Sequence, residues 1–156
     1  MTGIFGTDRR IRPGISITVW GSACAVPVMG CGIGGAMDSN EFIRLVSQRA
    51  HVPEEQAWEL TRATMLTLAE RITGGEARHL AGVLPAEIAP PLVPPEDVAQ
   101  KFGVAEFVRR VSERGGVDET VARRGVAAVF MTLREAVPDT EFQDLMSQLP
   151  NEFQNI

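Results

Sequence analysis

Glu76 and His79 are the residues whose types and spacing come closest to a catalytic or metal site. They form an E-x-x-H pattern, which places both side chains on one face of a helix, as in di-iron helical bundles. Such a site needs a second pair of ligands, and the residues 65 positions later are both acidic. Carboxylates on two longer helices would complete it. The candidate metal ligands are therefore Glu70, Glu76, His79, Glu135, Glu141 and Asp144.

The same residues also have a purely structural interpretation. Di-iron bundles use two histidines, whereas this set contains one. In the alternative, Glu76 caps a helix after Gly75, and the side chains of His79 and Asp144 face water. Neither histidine of the chain pairs recognisably with a serine, threonine or cysteine, so no arrangement for nucleophilic catalysis is visible. We therefore expect a non-enzymatic protein without a cofactor, and a bound metal is the alternative.

Two further sets of residues are candidates for contact with a partner. Trp58 is the one large aromatic residue of its predicted helix, and it could anchor a partner or lie in the core. Four arginines in the second half could bind an acidic partner, or they could form a solvated face balanced by neighbouring glutamates. These four are Arg109, Arg110, Arg123 and Arg124.

The composition limits the class of protein. The chain has 156 residues, which suits one domain with a core. Its net charge is −5, which argues against binding to DNA or RNA, because phosphate binding needs a basic face. Both cysteines lie before residue 37. The remaining chain therefore has no disulfide framework.

Residues 14–36 form an uncharged apolar run that follows three arginines, and three interpretations of it are open. In the first, translation starts at Met37 rather than at Met1, and the upstream residues are disordered. In the second, the run is a lipoprotein signal that ends at a lipidated Cys31. In the third, it is a transmembrane helix, which its glycines and Pro27 disfavour. We favour the first, which predicts a cytoplasmic protein; membrane contact follows only from the other two.

The rest of the chain contains an internal repeat. Residues 41–87 and 106–152 align without a gap at an offset of 65, and 18 of the 47 positions are identical. A match of this length between two helical stretches indicates a duplicated unit. The identities include Glu41/Glu106, Phe42/Phe107, Arg49/Arg114, Thr67/Thr132, Glu70/Glu135, Glu76/Glu141 and Leu84-Pro85/Leu149-Pro150.

Each copy of the repeat predicts three helices. Asp38 and Glu41 have the spacing of a capping box at the first start. Gly74-Gly75 and Pro138-Asp139 are expected to end the long second helix of each copy. The proline-rich residues 90–95 read as a stiff extended connector. The predicted helices are 39–50, 53–72 and 76–83 in copy one, and 104–114, 118–137 and 141–148 in copy two.

Together these patterns predict an all-α fold. A three-helix unit with one apolar side cannot bury that side alone, but two units facing each other can. We expect a six-helix bundle made of two tandem three-helix repeats with pseudo-two-fold symmetry. The predicted domain covers 37–156, with copy one at 38–89, a linker at 90–103 and copy two at 104–156. Residues 1–36 would be a disordered or signal-like extension.

Residues 37–156 also resemble the bacterial family catalogued as domain of unknown function 2267. The resemblance rests on the EF start of the first helix, the segment LAERITGGEARHL, and the Leu-Pro that ends each repeat. It implies a small helical bacterial protein and no activity, so no catalytic residue can be carried over. Members of the family usually begin near the equivalent of Met37.

The function that we expect from the sequence is that of an interaction protein. We predict a non-catalytic helical module that binds a protein partner or self-associates. One alternative is a helical bundle that binds a metal or a small ligand through carboxylates and a histidine. The other is an envelope protein anchored by lipid.

Overall fold

The computed structural model describes residues 37–93 and 98–156, and in these residues it contains helices and no strand. The six helices are α1 (Ser39–Ala50), α2 (Glu54–Arg71), α3 (Gly74–Val83), α4 (Val104–Gly115), α5 (Glu119–Ala136) and α6 (Asp139–Gln148). Two 3-10 turns cover Pro90–Leu92 and Asn151–Asn155. The predicted all-α bundle is confirmed for these residues, whereas the interpretations of residues 1–36 lie outside them.

The helices of the second half repeat the bounds of the first. Each of α4, α5 and α6 begins and ends 65 residues after α1, α2 and α3, respectively. Below, the counterpart of a residue is the residue 65 positions away. None of the helices in the described residues is both long and apolar enough to cross a membrane.

The first helix begins and ends where its local sequence directs. Asp38 Oδ1 accepts a hydrogen bond from the backbone N–H of Glu41 over 3.0 Å, as the capping spacing predicts. The helix ends at His51, which adopts the left-handed conformation with φ of 54°. The counterpart of His51 is Gly116, with φ of 61°. A histidine therefore occupies a position that favours glycine.

This difference between the two helix ends leads to a prediction. His51→Gly is expected to raise the free energy of unfolding by about 1 kcal/mol, because glycine has no Cβ to strain in the left-handed region. Gly116→Ala is the matched change and should lower it by a similar amount. Urea denaturation of both variants measures the effect. A loss of stability in His51→Gly would contradict the prediction.

The third helix of each half begins earlier than predicted. Gly74-Gly75 does not separate α2 from α3 but forms the first turn of α3. The chain breaks instead at Ile72 and Thr73, both in the extended region. The Thr73 hydroxyl accepts a hydrogen bond from the N–H of Glu76 over 3.4 Å. Thr73 therefore caps this helix, and the idea that Glu76 is its cap was wrong.

The core lies between the two halves. α1 packs against α2 and α5, and α4 packs against α5 and α2. The long helices α2 and α5 approach closely at Gly125, where an added Cβ would lie 2.9 Å from carbons of Leu60. One face of α2 and one face of α5 are buried. Their members are Thr61, Thr64, Met65, Leu68 and Ile72, and Val126, Val129, Phe130, Leu133 and Val137.

The segment after α3 is not the predicted extended connector throughout. Pro90–Leu92 forms a 3-10 turn, because the fixed φ of proline also suits the start of a helical turn. The side chain of Leu92 is buried in the core, at 1% exposure. Burial of Leu92 folds this part of the connector back onto α2 and α3.

Candidate functional site

Two predicted metal ligands, Glu70 and Glu135, lie in ion pairs between helices. Arg110 donates to Glu70 over 2.9 Å, and Arg114 donates to the other oxygen of the same carboxylate. The side chain of Glu70 is 15% exposed. Arg49 donates to Glu135 over 2.6 Å. Both carboxylates are therefore engaged by guanidinium groups.

The arginines at the ends of α1 and α4 also bind buried threonine hydroxyls. Arg49 Nη1 donates to Thr132 Oγ1 over 2.8 Å. Arg114 Nη1 donates to Thr67 Oγ1 over 2.7 Å. Each arginine thus joins its own helix to the long helix of the other half through one hydroxyl and one carboxylate. The two sets of contacts use counterpart residues.

The carboxyl group of Glu70 is stabilised in its ionised form. Burial is the largest single effect and raises the pKa of Glu70. Hydrogen bonds and charges from Arg114 and Arg110 together outweigh burial, so that the pKa is lowered below the usual 4.5. Glu70 therefore contributes stability above pH 4.5, and this contribution is lost as pH falls through the folded-state pKa.

Glu76 lies between acidic groups where α3 meets α6. Its Oε2 accepts a hydrogen bond from Gln148 Nε2 over 3.4 Å, whereas Oε1 is buried without a hydrogen-bond partner in the described residues. Burial raises the pKa of Glu76, the charges of Glu141 and Asp144 raise it further, and His79 opposes them. Three of the other predicted metal ligands therefore lie close enough to act on Glu76.

The arrangement does not form a complete ligand set. Within 37–93 and 98–156, no group of three or more His, Cys, Asp or Glu side chains could hold a metal ion. The side chains of His79 and Asp144 are exposed. The metal site stays a prediction, and the residues that would form it are Glu76, Glu141 and Asp144 with His79.

The raised pKa of Glu76 gives a pH-dependent prediction. Because the pKa of Glu76 is raised in the folded state, the contribution of this residue to stability is fully present below pH 4.5. It is lost as pH rises through the folded-state pKa. Glu76→Gln should therefore be more stable than the wild type at pH 7. The difference in stability between variant and wild type should be smaller at pH 4. Thermal denaturation at the two pH values tests this, with Glu55→Gln on the exposed side of α2 as the control. Equal effects of Glu76→Gln at both pH values would contradict it.

Two of the four predicted partner-binding arginines are engaged within the protein. Arg109 pairs with Glu106 over 2.7 Å and also with Glu113. Arg110 pairs with Glu106 over 2.9 Å and lies 4.2 Å from the ring centre of Phe102. Hydrogen bonds from these arginines lower the pKa of Glu106 to about 2. The positive charge of both is thus balanced on the surface of α4.

The other two arginines and the tryptophan are placed differently. Arg123 and Arg124 are exposed on α5. Trp58 is half-buried and lines a cavity of about 360 Å³ between α2 and the turn at Pro90–Leu92. We call this space the Trp58 cavity. It is lined by Trp58, Glu59, Thr61, Arg62, Glu87 and Ile88, together with the two prolines of the turn.

A second concave surface lies on α5, α6 and the C-terminal turn. Its volume is about 380 Å³, and Met131 on its surface is 55% exposed. We call it the Met131 groove. Its apolar lining consists of Phe130, Met131, Phe142, Met146, Phe153 and Ile156.

The sequence reasoning missed several of the residues that line these surfaces. For Thr61, the available signal was a polar residue at a position whose counterpart, Val126, is apolar. Glu87 gave no signal, since its place at the cavity depends on how the segment after α3 packs on α2. Met131 gave none either, because residue type alone does not distinguish an exposed methionine from one in the core.

The fold and these surfaces define a small, all-helical protein of six helices, within the described residues. The chain belongs to the DUF2267 family, described as an uncharacterized conserved protein, whose model matches residues 39–156. This confirms the family resemblance of the sequence. No curated protein matches the chain.

Proposed function

We propose that the protein is a non-catalytic helical module that associates with a second copy of itself through the Met131 groove. The observation that carries this proposal is the exposed Met131 in a groove whose lining includes five further apolar residues. Methionine side chains are flexible and polarizable, which suits them to contact surfaces. Covering apolar surface of this kind with a partner is favourable, because it removes that surface from water.

The charges at the edge of the groove favour a second copy as the partner. Arg134 and Asp139 both line it, and neither makes an ion pair with another residue of the described chain. In a two-fold symmetric contact, the same surface of both protomers meets. If one residue of the first protomer contacts another residue of the second, the reverse contact forms as well. Arg134 of one protomer could then face Asp139 of its partner, and the reverse, around the apolar centre.

The oligomeric state tests this proposal. Sedimentation velocity over a range of concentrations should show a dimer of the wild type. Met131→Asp should shift the protein towards the monomer by placing a charge in the contact. Val98→Asp is the matched control, because Val98 is 75% exposed and outside the groove. A wild type that stays monomeric, or a dimer that Met131→Asp leaves unchanged, would rule the proposal out.

The duplicated architecture is part of the proposal. Two observations support tandem copies related by a pseudo-two-fold axis. The helix bounds recur at an offset of 65 residues, and Arg49 and Arg114 make counterpart contacts to Thr132 and Thr67. We place the copies at 38–89 and 104–156, as in the sequence analysis.

The cluster around Glu76 supports a second candidate function, binding of a metal ion. A cation would neutralise the Glu76 oxygen that has no partner in the described residues and the two acidic groups beside it. Because these side chains do not form a set of three ligands as placed here, water would have to complete the coordination. Metal analysis of protein purified without chelators should then find iron, manganese or zinc near one per chain, lost on Glu76→Ala. Protein without metal that also fails to take up these ions would exclude it.

The cellular location belongs to the same proposal. We propose a bacterial protein located in the cytoplasm. The mass of the intact protein from native cells would show whether residues 1–36 are retained. A mature protein beginning at a lipidated Cys31 would support the envelope alternative instead.

A further inference from the structure

The Trp58 cavity lies where the two halves of the chain differ. The counterpart of Trp58 is Arg123, and the counterpart of Thr61 is Val126. Val126 is fully buried, so the fold itself accepts an apolar residue at that position. The packing of the long helix therefore does not require a threonine at position 61.

Thr61 carries a hydroxyl group without a use in the fold. Three other buried threonines, Thr64, Thr67 and Thr132, each donate to the carbonyl oxygen four residues earlier, over 2.6–2.8 Å. Thr61 is 1% exposed, and its Oγ1 has no hydrogen-bond partner in the described residues. Buried polar groups are normally satisfied, and an exception needs an explanation. A ligand that supplies the missing hydrogen bond to Thr61 is such an explanation.

Glu87 is a second polar group at the cavity without a partner. Its counterpart, Glu152, accepts a hydrogen bond from the N–H of Val104 over 3.3 Å and thereby caps α4. In the first half, the side chain of Asp38 caps α1. Glu87 is therefore not used as a helix cap. Glu87 makes no hydrogen bond or ion pair within 37–93 and 98–156, and it is exposed at the edge of the cavity.

The rim of the cavity is acidic overall. Besides Glu87, it carries Glu59 and Arg62, which form a 3.9 Å ion pair with both side chains more than half exposed. Such surface pairs are weak, so Arg62 does not remove the negative character of the rim. Inside, the indole of Trp58 and the rings of Pro90 and Pro91 offer apolar surface.

We propose that the Trp58 cavity binds an organic cation, an ammonium or guanidinium group attached to an apolar body. Trp58 would contact the cation through its aromatic face, and Glu87 would accept hydrogen bonds from it as its counter-ion. Thr61 Oγ1 would accept a further hydrogen bond after rotation about χ1, since threonine in a helix uses two rotamers. The apolar body packs on the two prolines. A volume of about 360 Å³ suits a small ligand.

The source of the cation is either a free amine or a basic side chain of a peptide. We would titrate the full chain, as the Trp20→Phe variant, with 2-phenylethylammonium and with a short blocked arginine peptide, and follow the fluorescence of Trp58. Saturable quenching by one or both is expected, and the stronger ligand identifies the source. The neutral analogue 2-phenylethanol should bind roughly tenfold more weakly, because it lacks the charge-assisted contacts.

Variants separate the site from nonspecific binding. Glu87→Gln and Thr61→Val should each weaken binding of the cation several-fold. Thr61→Val copies the counterpart Val126 and should leave the melting temperature equal or higher, so a loss of binding would not reflect unfolding. Glu55→Gln, an exposed carboxylate of α2 outside the cavity, is the control and should bind like the parent. The proposal fails if neither cation quenches saturably, if 2-phenylethanol binds equally well, or if Thr61→Val and Glu87→Gln both bind unchanged.

Discussion

Phe107→Ala is expected to lower the free energy of unfolding by about 3–5 kcal/mol, the usual cost of removing a buried phenylalanine. Phe107 is fully buried. Its ring lies 5.2 Å from that of Phe153, 6.1 Å from that of Phe130 and 6.3 Å from that of Phe102, measured between centroids. The substitution therefore leaves a cavity between α4, α5 and the C-terminal turn. Chemical denaturation followed by circular dichroism measures the loss.

The counterpart of Phe107 provides a comparison. Phe42 is also fully buried, on α1, and Phe42→Ala should cost a similar amount if each half contributes equally to one core. Val98→Ala, at an exposed position, should change stability little. A cost below about 1 kcal/mol for Phe107→Ala would show that the ring is not in a close-packed core.

Glu70→Gln is the second change with a large expected effect, a loss of about 2 kcal/mol at pH 7. Its carboxylate is mostly buried and accepts hydrogen bonds from Arg110 and Arg114, and hydrogen bonds to charged groups contribute about 1.5–3 kcal/mol. The neutral amide keeps the shape of the side chain, but Arg114 loses its carboxylate partner and Arg110 keeps only its pair with Glu106. Urea denaturation at pH 7 gives the size of the loss.

The pH dependence and a counterpart variant sharpen this test. Because the pKa of Glu70 is lowered in the folded state, the difference between wild type and Glu70→Gln should shrink as pH falls below 4.5 through the folded-state pKa. Glu135→Gln should cost less than Glu70→Gln, since the side chain of Glu135 is 51% exposed and pairs, among the described residues, with Arg49 alone. A constant loss at all pH values would show that charge is not the cause.

Local signals in the sequence were sufficient to predict the helices. The Asp38 cap and the Leu-Pro pairs act within one or two turns of the chain, so that neighbouring residues determine where α1 begins and where α3 and α6 end. The two errors have a local cause as well. Thr73 caps α3, so that the two glycines after it lie in the first turn of α3 rather than in a break, and Pro90 and Pro91 fit a 3-10 turn as well as an extended segment.

The candidate sites were less accessible from the sequence. Residue type singles out Trp58, but Glu87 reaches the same cavity only through the packing of the segment after α3 on α2. Glu70 was selected as a metal ligand by its spacing. Its pairing with Arg110 and Arg114 depends on how α2 and α4 pack together. Contacts between residues about 40 positions apart follow from tertiary packing, which periodicity does not specify.

The measurement that tests the account most directly is a crystal structure of the protein, in which residues 39–83 are superposed on residues 104–148. We expect one rotation of about 180° to bring all three helices of the first half onto those of the second. Arg49 should contact Thr132 and Glu135, while Arg114 contacts Thr67 and Glu70. Halves that do not superpose, or arginines that do not reach the long helix of the other half, would contradict the proposal of two facing copies.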